Sequence, residues 1–136
     1  MSAGPRQVID VSAALIFHRG KLLITQRQAD SHLGGLWEFP GGKREPSETF
    51  EQCLAREIRE ELRMEIAVGK LFEEVTHAYE TKTVHLKFFV CEWTGGEPEA
   101  IGCAAFQWIR KNELADYKFP AADARLLEKL AASGLF

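Results

Sequence analysis

Three glutamates in the middle of the chain have the spacing of a shared helix face. Glu57, Glu60 and Glu61 are three and four positions apart, and at about 100° per residue they span an arc of roughly 100°. Like charges this close repel one another, and a bound divalent cation removes that penalty. Oxygen ligands suit Mg²⁺ or Mn²⁺, and Mg²⁺ commonly joins a few carboxylates to substrate phosphates. The spacing therefore indicates a metal site for phosphate chemistry.

A glycine-containing loop directly before this helix supplies further groups. Gly41 and Gly42 open the loop, and Glu48 brings a fourth carboxylate to the start of the helix. Arg56 lies on a different helix face, from which its guanidinium can hold a carboxylate by a bidentate contact. A run of alternating charges is also typical of a solvated face with ion pairs four residues apart. The glycine loop, Glu48 and the position of Glu61 beside an apolar stripe favour the metal site.

The helix that must position these groups has clear boundary signals. Thr49 is a typical N-cap, and Gln52 stands three residues later, as a capping box requires. One apolar stripe recurs every four residues: Phe50, Leu54, Ile58 and Leu62. The stripe predicts that one face of this helix packs against the core.

Strand and helix patterns surround this central helix. Apolar and β-branched runs predict five strands: Val8–Phe17, Lys21–Thr25, Leu71–Tyr79, Thr83–Trp93 and Ala104–Ile109. Gln26–Gly42 is predicted to be a long irregular loop, and such a loop in a small domain is usually functional. Ala121–Ala132 has the period of a closing helix with these residues inward: Leu126, Leu127 and Leu130. We expect one domain over residues 1–136, a mixed sheet with helices on both faces.

The composition narrows the classes of partner. The chain has 136 residues, 46% of them hydrophobic, and a formal net charge of -3. A mildly acidic protein is poorly suited to a nucleic-acid backbone, which is bound mainly by Lys and Arg. No apolar run approaches the roughly 20 residues of a membrane span, and Met1–Gln7 lacks the features of a signal peptide. Three cysteines fit no metal or redox spacing, so we expect reduced, partly buried thiols and a cytoplasmic protein: Cys53, Cys91 and Cys103.

One stretch of the chain closely resembles the Nudix box of a hydrolase family. It is Gly41–Met64, which reads GGKREPSETFEQCLAREIREELRM. The family pattern is G-x₅-E-x₇-R-E-U-x-E-E-x-G-U, where U is a bulky apolar residue. Eight positions fall in register: Gly42, Glu48, Arg56, Glu57, Ile58, Glu60, Glu61 and Met64. Arg63 departs from the pattern, because it stands where the family has its last glycine. We expect that position to end the helix in a left-handed turn, where a non-glycine residue costs about 1 kcal/mol.

Further segments are similar to the MutT-type branch of that family, which removes oxidised nucleotides from the pool. They are Arg27–His32, Leu36–Gly42 and Phe119–Asp123. The resemblance implies an α/β (α+β) fold, an α/β/α sandwich with a mixed β-sheet. It also implies an activity that uses Mg²⁺, with Mn²⁺ as a substitute. In that reaction, water attacks the β phosphorus of a nucleoside triphosphate and releases the monophosphate and pyrophosphate.

The resemblance also assigns roles within the box. The implied metal ligands are the Gly41 carbonyl, Glu57, Glu60 and Glu61. Arg56 orients Glu57, and Glu48 supports the metal or its water. MutT-type enzymes often carry another acid six positions before a late tryptophan, but counting back from Trp108 gives Gly102. The general base therefore stays open between a box glutamate, Glu38 and Glu99.

Residues outside the box are candidates for binding the substrate. Arg27 and Phe39 are expected to line a base pocket, and Lys43 and Lys82 to contact phosphates. Asp123 either accepts hydrogen bonds from a base edge or caps the closing helix. No role is assigned to three histidines: His32, His77 and His85.

The residues of the Nudix box do not indicate which base the substrate nucleotide carries. An oxidised purine nucleotide such as 8-oxo-dGTP is the first expectation, and CTP or a modified dCTP is the alternative. A domain that binds a nucleotide without hydrolysing it is a further alternative, although such domains generally lose box carboxylates. Protein partners stay open.

Overall fold

The structure, a computed structural model, describes residues 7–136, so the expectation for Met1–Gln7 lies outside the described residues except at Gln7. The strands are β1 (Gln7–His18), β2 (Lys21–Gln26), β3 (Trp37–Glu38), β4 (Gly41–Lys43), β5 (Glu65–Ala78), β6 (Lys82–Gly95) and β7 (Ala105–Ile109). The helices are α1 (Phe50–Leu62) and α2 (Ala124–Ala132), and short 3₁₀ turns cover Lys111–Asp116 and Ala121–Asp123.

The strands form one mixed sheet, as predicted. Its order is β3-β2-β1-β6-β5, with β4 also paired to β1 and β7 also paired to β2. β1 and β6 are parallel, whereas the other strand pairs are antiparallel. Because β4 pairs with β1 through Gly41 and Gly42, the sheet brings the glycine loop beside the middle of the parallel pair.

Side chains alternate between the two faces of the sheet and form two cores. Ala14, Ile16 and Leu23 pack with the apolar stripe of α1 on one face. On the opposite face, Leu15 and Ile24 pack with two buried leucines of α2, Leu126 and Leu130. This period-two alternation is what allows a single strand to serve both layers. The expected α/β/α sandwich is confirmed.

The central helix has the predicted ends. The Thr49 hydroxyl accepts a hydrogen bond from the Gln52 backbone N–H at 3.0 Å, and the Gln52 side chain accepts from the Thr49 N–H at 2.9 Å. At the other end Arg63 is left-handed, with φ 57°, and its N–H donates to the Arg59 carbonyl. The left-handed conformation expected at the family's glycine position is therefore adopted by an arginine.

Several boundaries differ from the sequence prediction. β5 starts at Glu65, six residues earlier than predicted, because an edge strand needs only one covered face and Ile66 and Val68 provide it. The predicted irregular loop contains β3 and β4, which pair with β2 and β1, and their ladder partners are distant in sequence. The predicted closing helix begins as a 3₁₀ turn before α2.

The three cysteines are free and buried, in agreement with the expectation for reduced thiols. Along the chain from residue 7 onward, the helices are too short or too polar to cross a membrane.

Candidate active site

A cleft of about 530 Å³ opens between β1, β4, α1, β6 and the turn that precedes α2. Eight of the predicted site residues lie in its wall: Arg27, Phe39, Gly41, Lys43, Glu57, Glu61, Lys82 and Asp123. Of the other predicted residues, which are absent from the lining, Arg56 and Glu48 lie behind the wall, where Arg56 contacts Glu57, and Glu60 is exposed on the outer side of the helix. Residues predicted from separate segments of the chain are thus brought together.

Arg56 is the centre of the group behind the wall. Its Nε and Nη2 donate to the two carboxylate oxygens of Glu48 at 3.0 and 2.7 Å. Its Nη1 donates to Glu57 at 2.9 Å and to Glu60 at 3.1 Å, and Nη2 also reaches the Lys43 carbonyl at 3.1 Å. A guanidinium has five N–H donors. All five are therefore engaged, and Arg56 fixes three glutamates and the glycine loop together.

This pairing determines the protonation of Glu48. The Arg56 hydrogen bonds, together with one from the Glu45 backbone N–H, lower the pKa of Glu48 to about 2. Its side chain is only 12% exposed, against 59% for Glu60, which lies on the outer side of the helix. Glu48 is thus a permanently ionised, fixed partner of Arg56 at neutral pH.

The carboxyl groups of Glu57 and Glu61, which face the cleft, have raised pKa values, whereas that of Glu48 is lowered. Burial, reinforced by the charges of Glu38 and Glu57, raises the pKa of Glu61 to about 8, although the Gly41 backbone N–H opposes this shift. Burial also raises the pKa of Glu57 despite its contact with Arg56. Negative charge at Glu61 is therefore costly until an external cation approaches it.

The donor set suits a hard cation, although the described residues hold no ready group of three His, Cys, Asp or Glu side chains. Mg²⁺ needs only one or two carboxylates when substrate phosphates complete its shell, and Glu57 and Glu61 supply two at the cleft wall. A Cβ at Gly42 would lie 2.3 Å from the Glu57 carboxyl carbon. A side chain at this position would displace the Glu57 carboxylate, and glycine lets the loop backbone pass directly against it.

Of the open choices for a general base, Glu38 lies in the cleft and Glu99 does not. Glu38 accepts a hydrogen bond from Arg27 Nη1 at 2.9 Å, and burial raises its pKa while Arg27 opposes that shift. The Glu99 side chain is exposed, and its carboxylate lies 4.0 Å from Arg63 Nε. A Cβ at Gly102 would lie 3.1 Å from the Glu61 Cγ, so that position offers little room for an acidic side chain.

Asp123 also lines the cleft. It precedes α2, yet its side chain makes no capping hydrogen bond. Burial and the charge of Glu38 raise the pKa of Asp123 to about 6. A carboxyl group in this position accepts hydrogen bonds when ionised and can also donate when protonated.

The remaining candidates differ in how accessible they are. Phe39 is 5% exposed and stacks on Phe119 with ring centroids 5.3 Å apart, so its ring belongs mostly to the core. Lys43 is exposed at the rim of the cleft. Lys82 lines the cleft with its ammonium 5.7 Å from the centroid of the Tyr79 ring.

The sequence interpretation missed several lining residues. His32 and Leu33 enter the cleft from the loop after Arg27, and Tyr79 enters from the end of β5. An apolar floor comes from β6: Val84, Leu86 and Phe88. The alternation in β6 could have indicated which side chains share a face, but it does not reveal which face carries the cleft.

Known proteins resemble the chain over nearly its whole length. The family described as NUDIX domain matches residues 12–129. A CTP pyrophosphohydrolase of Escherichia coli (strain K12) is 38% identical over 126 residues, which cover 93% of each chain. An 8-oxo-dGTP diphosphatase of Haemophilus influenzae is 34% identical over 127 residues, covering 92% of this chain and 93% of that protein.

A solved structure shares the fold. The solution structure of the E. coli ORF135 protein superimposes with a TM-score of 0.82 at 36% identity, covering 99% of this chain and 96% of that one.

Proposed function

This chain belongs to the NUDIX domain family and is a Nudix hydrolase, and on that premise we propose that it is a Mg²⁺-dependent nucleoside triphosphate pyrophosphohydrolase. Its first substrate class is oxidised deoxynucleotides such as 8-oxo-dGTP, cleaved to the monophosphate and pyrophosphate. The main support is that one cleft is lined by Glu57, Glu61 and Asp123 together. Such a cleft can bind phosphates and a base at the same time.

The metal end of the cleft would be formed by box residues. Glu57, Glu61 and the Gly41 carbonyl would hold a divalent cation, with Glu60 as a further ligand. When bound, that cation supplies charge neutralisation for the phosphates and lowers the pKa of a water molecule. Mn²⁺ has the same preference for oxygen ligands and would substitute. Arg56 keeps Glu57 oriented by its 2.9 Å hydrogen bond.

Proton transfer and phosphate binding fall to residues of the cleft wall. Glu38 can accept the proton of the attacking water, because Arg27 favours its ionised form inside a partly buried site. Glu57 and Glu61 of the box are the other candidates for this base. Lys43 and Lys82 line the same cleft and would contact the phosphate oxygens of the nucleotide.

Asp123 is proposed to read the base. An ionised aspartate accepts from N1–H and N2–H of guanine or from the amino group of cytosine. The two named relatives, a CTP pyrophosphohydrolase and an 8-oxo-dGTP diphosphatase, differ in the base of the nucleotide in their names. CTP or a modified dCTP is therefore the second candidate class. The three buried free cysteines support a reducing, cytoplasmic site of action.

The test is pyrophosphate release with Mg²⁺ from 8-oxo-dGTP, dGTP, 2-hydroxy-dATP, CTP, 5-methyl-dCTP and ADP-ribose. We expect the highest kcat/KM for 8-oxo-dGTP, with a clear preference over dGTP. A preference for the cytidine nucleotides would leave the metal site as proposed and replace the substrate class. Absence of turnover on every compound, together with no saturable Mn²⁺ binding, would favour a binding domain without catalysis.

Asp123→Ala separates base reading from a capping role. Loss of the hydrogen bonds to N1–H and N2–H should lower kcat/KM by about 10- to 100-fold for 8-oxo-dGTP and dGTP alike, because both bases present that edge, and should lower it less for dATP, whose N1 carries no hydrogen. An equal loss on every nucleotide, with a lower Tm, would instead indicate that Asp123 stabilises the start of α2.

A further inference from the structure

The Arg27 side chain donates hydrogen bonds to two separate segments of the protein, and binding a substrate would not require these contacts. Its Nη1 donates to Glu38 at 2.9 Å, and its Nε donates to the His32 carbonyl at 2.6 Å. The side chains of Arg27 and Glu38 are 31% and 32% exposed, so the pair is partly shielded from water. The guanidinium therefore joins β3 to the loop of residues 28–35.

The backbone of Arg27 also closes that loop. Its N–H donates to the Leu36 carbonyl at 2.9 Å, and its carbonyl accepts from the Gly35 N–H at 3.1 Å. The loop therefore begins after Arg27, and its last residues are hydrogen-bonded back to the backbone of Arg27. A Cβ at Gly34 would lie 2.3 Å from the Ala29 carbonyl oxygen, so the loop is tightly folded on itself.

Nothing apolar anchors the loop. Every residue from 28 to 35 is exposed, and the hydrogen bonds of the loop lie within it, as from Ser31 to Gln28, or at its ends, where Gln26 Nε2 donates to the Gly35 carbonyl at 3.1 Å. His32 and Leu33 nevertheless line the cleft. The bond from Arg27 to the His32 carbonyl is the side-chain contact that holds this part of the wall toward Glu38.

We propose that Arg27 is a positioning residue that couples the loop of residues 28–35 to Glu38, so that the cleft wall and the candidate base are held in one arrangement. This role differs from the direct substrate contact expected for Arg27 from the sequence. Because Nε and Nη1 are both engaged by the protein, the geometry favours an action of Arg27 on the reaction through Glu38 over direct contact with the nucleotide. The kinetic part of this inference rests on the proposed function.

A double-mutant cycle of Arg27→Gln and Glu38→Gln distinguishes the two roles, since residues that act through one another are not additive. On the preferred nucleotide we expect Arg27→Gln to lower kcat about tenfold or more and to change KM less than twofold. In the Glu38→Gln background it should cause no further loss. Arg27→Lys can pair with Glu38 and should recover most of kcat. A several-fold rise in KM that persists in the Glu38→Gln background would overturn the proposal.

Amide hydrogen exchange tests the coupling without any nucleotide. Arg27→Gln should accelerate exchange in residues 28–35 and at Trp37 and Glu38 together, whereas Arg27→Lys should accelerate the loop alone. The matched control is Arg59→Gln, which removes an arginine–glutamate pair with Glu65 that is more than half exposed and distant from the cleft. It should change neither segment. Unchanged exchange in Arg27→Gln, or acceleration confined to the loop, would overturn the coupling even if the protein hydrolysed no nucleotide.

Discussion

The carboxylates behind the cleft wall and those facing the cleft differ in how their charge is balanced. Behind the wall, Arg56 holds Glu48 with two short hydrogen bonds and lowers its pKa to about 2. In the cleft, burial raises the pKa of Glu61 to about 8 and that of Asp123 to about 6. Glu48 therefore has a fixed cation within the protein. Ionisation of Glu61 or Asp123 in the cleft is costly unless a ligand binds beside it.

The difference separates the roles of residues that look alike in sequence. A carboxylate with a fixed internal cation is suited to hold its neighbours in place. A carboxylate with a raised pKa in a cleft is suited to bind a cation, accept a proton or read a base. We therefore expect substitutions of cleft carboxylates to lower kcat most. Substitutions behind the wall should lower kcat less, because they only displace the groups that bind the metal.

The largest effect is expected for the metal end of the cleft. Glu57→Gln removes a charged oxygen ligand and should lower kcat by about 10³-fold, equivalent to several kcal/mol of transition-state stabilisation. Glu60→Gln should lower kcat by a smaller factor, because Glu60 lies on the outer side. Steady-state kinetics with saturating Mg²⁺ measures both, with the exposed Glu51→Gln on the same helix as the control. Unchanged turnover in both variants would remove the metal-site assignment.

A smaller loss is expected behind the wall. Arg56→Lys keeps one positive charge but cannot reproduce the bidentate contact to Glu48 or reach Glu57 at the same time. Loosening a ligand's support typically costs about 10- to 100-fold, so kcat should fall within that range. Arg59→Lys is the matched control, since the salt bridge of Arg59 is to the exposed Glu65. Equal kcat in the two variants would mean that the Arg56 cluster is not coupled to catalysis.

The two groups should also respond to pH with opposite signs. Because the pKa of Glu48 is lowered from 4.5 to about 2, its stabilisation is present above pH 4.5 and is lost as pH falls toward 2. Because the pKa of Asp123 is raised from 3.8 to about 6, its ionisation lowers stability as pH rises through this range.

Thermal unfolding between pH 3 and 8 tests these signs. At pH 7.5, Glu48→Gln should lower Tm, and Asp123→Asn should raise the free energy of unfolding by about 1 kcal/mol, or Tm by roughly 2–5 °C. Both differences should shrink toward the acidic end of the range. A shift of the same sign in both variants at pH 7.5 would contradict the contrast between the two groups.

The smallest effect is expected at the end of α1, which belongs to neither group. Arg63 has φ 57°, and its contact with Glu99 is 4.0 Å long and exposed. Arg63→Gly relieves the left-handed strain and should raise the free energy of unfolding by up to about 1 kcal/mol. kcat should stay within twofold of the wild type. A lower Tm would show that Arg63 contributes contacts worth more than the strain.

The sequence alone was sufficient for features that depend on near neighbours. The capping box of Thr49 and the buried stripe of α1 follow from residues within four positions of one another, and the left-handed Arg63 was expected from its place at the family's last glycine. The mixed sheet with a helix on each face followed from the order of the patterns. β3, β4 and the start of β5 were missed, because these segments become strands only by pairing with distant partners.

The tertiary structure alone decided which glutamates face the cleft. The helix pattern put Glu61 beside the apolar stripe but did not separate Glu57 from Glu60, and the packing of distant segments leaves Glu57 and Glu61 in the cleft wall and Glu60 in solvent. The pairing of Arg27 with Glu38 likewise depends on how β2 and β3 meet. Helix periodicity and capping are set by local backbone hydrogen bonds. Burial, and with it the pKa of a carboxyl group, is set by whatever packs over it from elsewhere in the chain.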